Sequence, residues 1–158
     1  MSREEYAVGI GFPCGDYLPW RTALSLARTT HAAGMIGIPL NIYVTAGSSD
    51  VCVARDGVLT QYLTGKEPYL FWIDSDITWR PEDFFRVLRL TKDLGVVCAA
   101  YPLKREEQDC IINFVEPSVT HPTGCVEIRG TGLGFCCVRR DIIDHFVQTK
   151  EWMVHDGN

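Results

Sequence analysis

Two aspartates, Asp74 and Asp76, stand one residue apart directly behind a nearly unbroken apolar run, Pro68-Tyr69-Leu70-Phe71-Trp72-Ile73. Aspartate is depleted in strands, and a carboxylate is costly to bury without a partner. Two of them within three residues need a reason, and a hard divalent cation supplies one. Mg²⁺ is held by one or two carboxylates, with substrate phosphates and waters filling its other positions. The placement fits. A continuous apolar run is the pattern of a strand covered on both faces, as in a parallel sheet. Ligands of open α/β sheets bind just beyond the carboxyl ends of such strands. Asp74 and Asp76 are therefore candidate ligands for Mn²⁺ or Mg²⁺. The plainer account is a turn in which one aspartate caps the approach to the helix that Pro81 opens. Trp79, just beyond, either offers its face to a bound ligand or packs on that helix.

The elements that hold this segment follow from hydrophobic spacing. Residues 7–12 form a first strand, stopped by Pro13 and Gly15. A helix covers 19–34, with Pro19 in its first turn and Gly34 at its end. Trp20, Ala23, Leu24, Ala27 and His31 recur at helical spacing and predict its apolar face. Residues 40–45 form a second strand. A second helix spans 48–63, capped by Ser48 or Ser49, with Val51, Val58, Leu59, Tyr62 and Leu63 on one face. After the third strand, 68–73, a helix over 81–94 opens on proline and two acids and stops at Gly95. Residues 95–101 are a further buried strand ending at Pro102. Beyond it the rhythm changes. Residues 110–117 and 124–138 read as strands broken by turns, with Gly130, Gly132 and Gly134 at alternate positions, and 140–149 as a last helix. His121, Pro122 and Pro117 read as turn chemistry between those strands. Alternating strands and helices predict a mostly parallel α/β sheet of about six or seven strands, with late antiparallel additions and helices on both faces.

Composition narrows the function classes. The chain has 158 residues, 46% hydrophobic and 22% charged, enough for one domain with a real core. The net charge of −5 argues against a nucleic acid held by phosphate contacts, which takes a basic stripe. It leaves open a single nucleotide bound through a metal ion. No run reaches the roughly 18 apolar residues of a membrane span, and no signal-peptide pattern opens the chain. Seven cysteines without a CxxC pair do not make a zinc ribbon. They read as buried thiols in a reducing, cytoplasmic setting.

The DSD segment resembles two families. One is the GT-A glycosyltransferases, whose DxD motif holds the metal that bridges protein and sugar-nucleotide diphosphate. The other is the haloacid-dehalogenase phosphatases, whose DxDxT motif would make Asp74 a nucleophile, with Asp76 and Thr78 in register. In the resembled phosphatases that strand is normally the first of the core, whereas two strand–helix units precede it here. The rest of the chain, roughly residues 7 to 145, is similar to short family-2-like glycosyltransferases. The similarity is carried by Gly11-Phe12-Pro13-Cys14, Ala54-Arg55-Asp56, the DSD, the PEDF helix start and Ala100-Tyr101-Pro102-Leu103-Lys104. Gly130-Thr131-Gly132-Leu133-Gly134-Phe135, followed by an apolar strand and Arg139-Arg140, completes it. Asp56 stands where such proteins often have asparagine.

The resemblance implies a GT-A, nucleotide-diphospho-sugar-transferase-like fold over a single domain, 1–158. Its donor-binding half is 1–104, and 105–158 is an incomplete acceptor half. It implies transfer of a glycosyl group from a UDP- or GDP-sugar to an unidentified acceptor. Asp76 would be the metal ligand, and Asp74 would meet the ribose or the metal shell. Phe12, Pro13 and Cys14 would line the base pocket. Arg55, Asp56, Ser75 and Lys104 would face the nucleotide, and Thr131 and Gly132 would let backbone approach the sugar. A general base for the acceptor hydroxyl lacks its usual context, and Asp156 is the candidate, with Glu151 the other late acid. His155 is either a third metal ligand or a solvated residue. A nucleotidyltransferase would carry a glycine-rich basic loop after the first strand, which Gly11 to Trp20 matches poorly. A nucleotide-sugar-binding remnant without turnover is the remaining alternative.

Overall fold

The computed structural model describes residues 6–101, 110 and 112–149. In chain order these form β1 (Val8–Pro13), α1 (Trp20–Ile36), β2 (Leu40–Thr45), α2 (Val51–Thr64), β3 (Tyr69–Ile73), α3 (Pro81–Leu94) and β4 (Val96–Cys98). Then follow β5 (Ile112–Phe114), β6 (Ile128–Thr131), β7 (Phe135–Arg139) and α4 (Arg140–Thr149). The main sheet has five strands in the order β2-β1-β3-β7-β4. β1 pairs in parallel with β2 and β3. β7 runs antiparallel between β3 and β4. β1 to β4 therefore all point one way, and their carboxyl ends share one edge of the sheet.

The predicted sheet of six or seven strands is instead a five-stranded sheet and a separate two-stranded ribbon, β5-β6. The reason is length and burial. β5 and β6 have three and four residues, none of them buried, so neither can cover a face of the core. β4 is also short, three residues rather than the whole of 95–101.

β3 is central and fully buried. Its alternate side chains feed two cores. Phe71 stacks on Phe84 of α3 at 4.4 Å between ring centroids and meets Phe135 of β7 edge-on at 4.8 Å. Leu70 and Trp72 point the other way, where Val58 and Tyr62 of α2 and Ile143 of α4 close the second core. Helices thus cover both faces of the sheet, as the unbroken apolar run of β3 requires.

α1 departs from its predicted face. Its buried residues are Thr22, Ser25, Thr29 and Ala33, while Trp20 is 70% and Leu24 40% exposed. The small polar face is chosen by what it meets. Ser25 Oγ accepts the backbone N–H of Trp79 at 3.2 Å, and Thr29 Oγ1 accepts its indole N–H at 2.9 Å. α1 also runs past Gly34 and stops at Gly37, which takes the left-handed φ of 74° that favours glycine. The cap of α2 is Asp50, whose carboxylate accepts from the N–H groups of Cys52 and Val53 at 2.7 and 3.4 Å. Ser48 only steadies that cap, accepting the Asp50 N–H at 3.2 Å. No helix among the described residues is long and apolar enough to cross a membrane, and all seven cysteines are free thiols.

The opposite edge of the sheet is locked by a polar clamp. Arg140 opens α4, and its guanidinium lies over the Tyr62 ring at 4.2 Å. It donates to the carbonyls of Glu67, Tyr62 and Gly65 at 2.9, 3.1 and 3.0 Å. The buried Glu67 carboxylate accepts from Asn41 and from the Tyr43 hydroxyl. Burial pushes the Glu67 carboxyl up, but the hydrogen bonds from Asn41 and Tyr43 and the charge of Arg140 outweigh it and hold it below its usual value.

Two outcomes follow from the clamp. Arg140→Ala strips three carbonyls of a charged donor. It should cost about 3 kcal/mol and lower Tm by on the order of 10 °C in a thermal melt. Arg140→Lys should recover little, because a point charge cannot serve three carbonyls as a planar fork does. Glu67 has a depressed folded pKa, so its contribution to stability is complete above its ordinary value of 4.5 and is lost as pH falls through the folded value. The stability gap between wild type and Glu67→Gln, read by urea unfolding at a series of pH values, should therefore narrow below about pH 4.5.

Candidate active site at the carboxyl edge

Asp74 is the first residue beyond β3. Its N–H donates to the Gly134 carbonyl at 2.9 Å, and its own carbonyl accepts the Ile77 N–H at 3.1 Å. The second bond closes a tight turn through Ser75 and Asp76. The aspartate pair is therefore a turn at the sheet edge, with Asp74 half-buried and Asp76 exposed. The turn is closed by the Asp74 backbone, and α3 takes Arg80 as its N-cap with no side-chain cap, so neither aspartate side chain caps that helix.

A cation reaches the turn from α2. β2 ends at the same edge, so the first turns of α2 sit over it. From there Arg55 reaches Asp74, with Nη2 donating to Oδ1 at 3.1 Å. The pair is partly screened, with side chains 25% and 32% exposed. Arg55 Nε is buried and has no hydrogen-bond partner among the described residues. Burying a guanidinium N–H unpaired is costly, which marks this arginine as incompletely satisfied.

The other wall is Tyr101. Its hydroxyl accepts the Gly134 N–H at 3.0 Å. Gly134 is thus held between Asp74, through its carbonyl, and Tyr101, through its amide. A Cβ on Gly134 would stand 2.6 Å from the Tyr101 hydroxyl and 2.7 Å from Asp74 Oδ2. A Cβ on Gly132 would stand within contact-violating distance of the same hydroxyl. These two glycines are there for close approach. Burial raises the Tyr101 phenol, the Asp74 charge adds to that, and the Gly134 amide and Arg55 oppose it. The phenol stays protonated at neutral pH and keeps its proton as a donor. A cavity of about 440 Å³ adjoins the turn, lined in part by Ile77, Thr78, Trp79, Asp83, Arg86 and Tyr101.

The remaining candidates fall in different places. Phe12 is 1% exposed, its ring packed toward Trp79 at 6.2 Å between centroids, so the ring belongs to the core. Pro13 and Cys14 are buried at the end of β1, where the Cys14 N–H donates to the Thr45 carbonyl at 2.9 Å. Burial pushes the Cys14 thiol up. Asp56 is exposed on α2 beside Arg55. Thr131 ends β6, paired with Ile112. Trp79 is buried against α1 and the β7 start rather than presented to a ligand. Arg139 and Arg140 serve the opposite edge. Lys104, Glu151, His155 and Asp156 lie outside the described residues.

No group of three or more His, Cys, Asp or Glu gathers to hold a metal among the described residues. Asp74 and Asp76 are therefore no protein-only cage. A donor set of two carboxylates in one turn does fit a hard cation shared with substrate phosphates.

No family model matches the chain, and no curated protein matches it. Among solved structures, the 4-diphosphocytidyl-2C-methyl-D-erythritol synthase of Anaerococcus prevotii DSM 20548 aligns over 98% of this chain and 80% of its own, with a TM-score of 0.55 and 11% identity. The fold is GT-A-like, a mostly parallel sheet between helices. At that identity the likeness is one of fold.

Tyr101 and Gly134 are the members of this constellation that spacing alone does not assign. The alternating glycines carried a signal, but Gly130 shares their spacing and has room for a side chain, its nearest neighbour being Asn113 at 3.8 Å. The close approach is testable by a double-mutant cycle. Gly132→Ala and Tyr101→Phe should each destabilise the protein, and Tyr101→Phe should relieve the alanine by removing the atom it strikes. The pair should be less destabilised than the sum by about 1 kcal/mol in chemical denaturation.

Proposed function

We propose that the protein binds a nucleotide-diphosphate sugar, UDP- or GDP-linked, and transfers its glycosyl group to an acceptor hydroxyl. The observation that carries this reading is the Arg55–Asp74 pair with Asp76 in the same turn, at the carboxyl edge of a GT-A-like sheet. A diphosphate needs a cationic fork and a place for a counter-ion, and these three residues supply both. The Arg55 guanidinium, whose side chain is 25% exposed, matches phosphate oxygens two at a time. Asp76, with Asp74, would hold Mn²⁺ or Mg²⁺ jointly with the diphosphate. The ion would stabilise the charge on the departing nucleoside diphosphate.

The chain's own groups do the rest. Arg55 binds the diphosphate and neutralises it. Asp74 accepts from the ribose hydroxyls or orients the metal's water. Tyr101 donates its phenol proton to the ligand's oxygens, and Gly132 and Gly134 keep the wall beside it low enough for a sugar to approach. Pro13 and Cys14 border the base.

A second reading, nucleotidyl transfer, is favoured by the solved neighbour, whose name describes a diphosphocytidyl product. The loop after β1, Cys14-Gly15-Asp16-Tyr17-Leu18, carries no basic residue for a triphosphate. That chemistry weighs for glycosyl transfer.

A thermal-shift panel separates the readings. UDP, GDP, CDP and their sugars are tested with and without Mn²⁺, beside the nucleoside triphosphates, on wild type, Asp76→Ala and Arg55→Ala. Ligand at about 100 times its Kd adds roughly 2.7 kcal/mol, a rise of about 5–10 °C for a domain of this size. One nucleoside diphosphate should give that rise in a Mn²⁺-dependent way, and both variants should lose it. No rise with any nucleotide would sink the proposal, and a rise with a triphosphate alone would transfer it to nucleotidyl transfer.

A further inference from the structure

Cys98 and Cys136 face each other across the antiparallel pairing of β4 and β7. The next pair, Ala99 and Phe135, is joined by a backbone hydrogen bond of 2.9 Å. Bonded and non-bonded pairs alternate along such a ladder, so Cys98 and Cys136 form a non-bonded pair, with α-carbons about 4.5 Å apart. Disulfides span α-carbon separations of about 4.4–6.8 Å. The two sulfurs already share a hydrogen bond at 2.8 Å. Neither thiol has a role in the proposed transfer.

The two differ in access. Cys136 is fully buried, whereas Cys98 is partly exposed. Cys98 lines the cavity beside the turn and a second of about 570 Å³ between β4 and the segment 119–128. A small oxidant can reach Cys98 through either. The hydrogen bond the two share lowers the Cys98 thiol, against its burial. The same bond, with burial, raises Cys136. Cys98, the more exposed of the two, is the thiol an oxidant meets first, and the thiolate is the reactive form.

We propose that Cys98 and Cys136 are an oxidative modification site, in which hydrogen peroxide oxidises Cys98 and Cys136 resolves it into a cross-strand disulfide. The Cys98 sulfur takes one oxygen from the peroxide, and the other leaves as water. Cys136 Sγ then attacks the sulfenic sulfur. The S–O bond breaks as the S–S bond forms, and hydroxide departs as a second water with the Cys136 thiol proton. A dithiol reductant reverses the bond. The link ties β4 to β7 directly beneath Tyr101 and Gly134, so oxidation fixes the two strands that bring those residues together. This inference stands on the β4–β7 pairing and holds whatever the protein transfers.

The test is peptide mapping of the full chain after peroxide treatment, alkylation and digestion without reductant. The Cys98 peptide should be joined to the Cys136 peptide, lighter than their sum by two hydrogen atoms, and dithiothreitol should separate them. The link should persist in Cys137→Ser and vanish in Cys136→Ser, where dimedone should trap Cys98 as a sulfenic acid. Fragmentation of the wild-type linked peptide between Cys136 and Cys137 gives the same answer without a variant. A bond from Cys98 to Cys125, which lines the same two cavities, overturns the proposal. So does a bond kept in Cys136→Ser, or a Cys98 left unmodified while the exposed Cys52 and Cys110 oxidise.

Discussion

The hydrogen bond from the Asp74 N–H to the Gly134 carbonyl depends on one topological fact, the insertion of antiparallel β7 between β3 and β4. Because β7 runs against its neighbours, its start lies at the edge where β3 and β4 end. The residue before β7 thus arrives beside Asp74, and the residues after β4 arrive beside it from the other side. Gly134 fills the gap because its amide and carbonyl are both engaged and no side chain would fit. A parallel strand in that place would have delivered its carboxyl end here and its start to the far edge.

Charge at the site follows from the same geometry. α2 begins over the carboxyl edge because β2 ends there, and this brings Arg55 to Asp74 at 3.1 Å. A half-buried carboxylate needs a counter-charge, and Arg55 supplies it. The arrangement leaves one buried guanidinium N–H without a hydrogen-bond partner among the described residues. At the far edge Arg140 is the contrast. There all the oxygens come from the chain itself, and the arginine is structural. The two arginines have the same chemistry, but three chain carbonyls fill the Arg140 fork, whereas Arg55 meets one carboxylate oxygen.

Much of this was legible beforehand. The β3 run announced a doubly covered strand, and α3 and α4 occupy the spans their periodicity predicts. The position of Asp74 at a strand's carboxyl end follows from that run alone. α1 departs from its apolar periodicity for a clear reason. Its apolar residues do recur at helical spacing, but the helix buries Ser25 and Thr29 because Trp79 offers them two N–H donors. A hydrogen-bonding demand set by a residue far along the chain outranked local periodicity. β5 and β6 stand apart from the main sheet, and strand pattern says nothing about which sheet a strand joins.

The sequence by itself determined the element types, the α/β class and the location of the aspartate turn, because each depends on spacing within a few residues. Tertiary structure alone decided that Arg55, Asp74, Tyr101 and Gly134 meet, that Gly132 but not Gly130 is sterically required, and that Cys98 faces Cys136. All of these rest on the order and direction of strands distant in sequence. That order is fixed by which faces and edges pack together, a property no local run of residues carries.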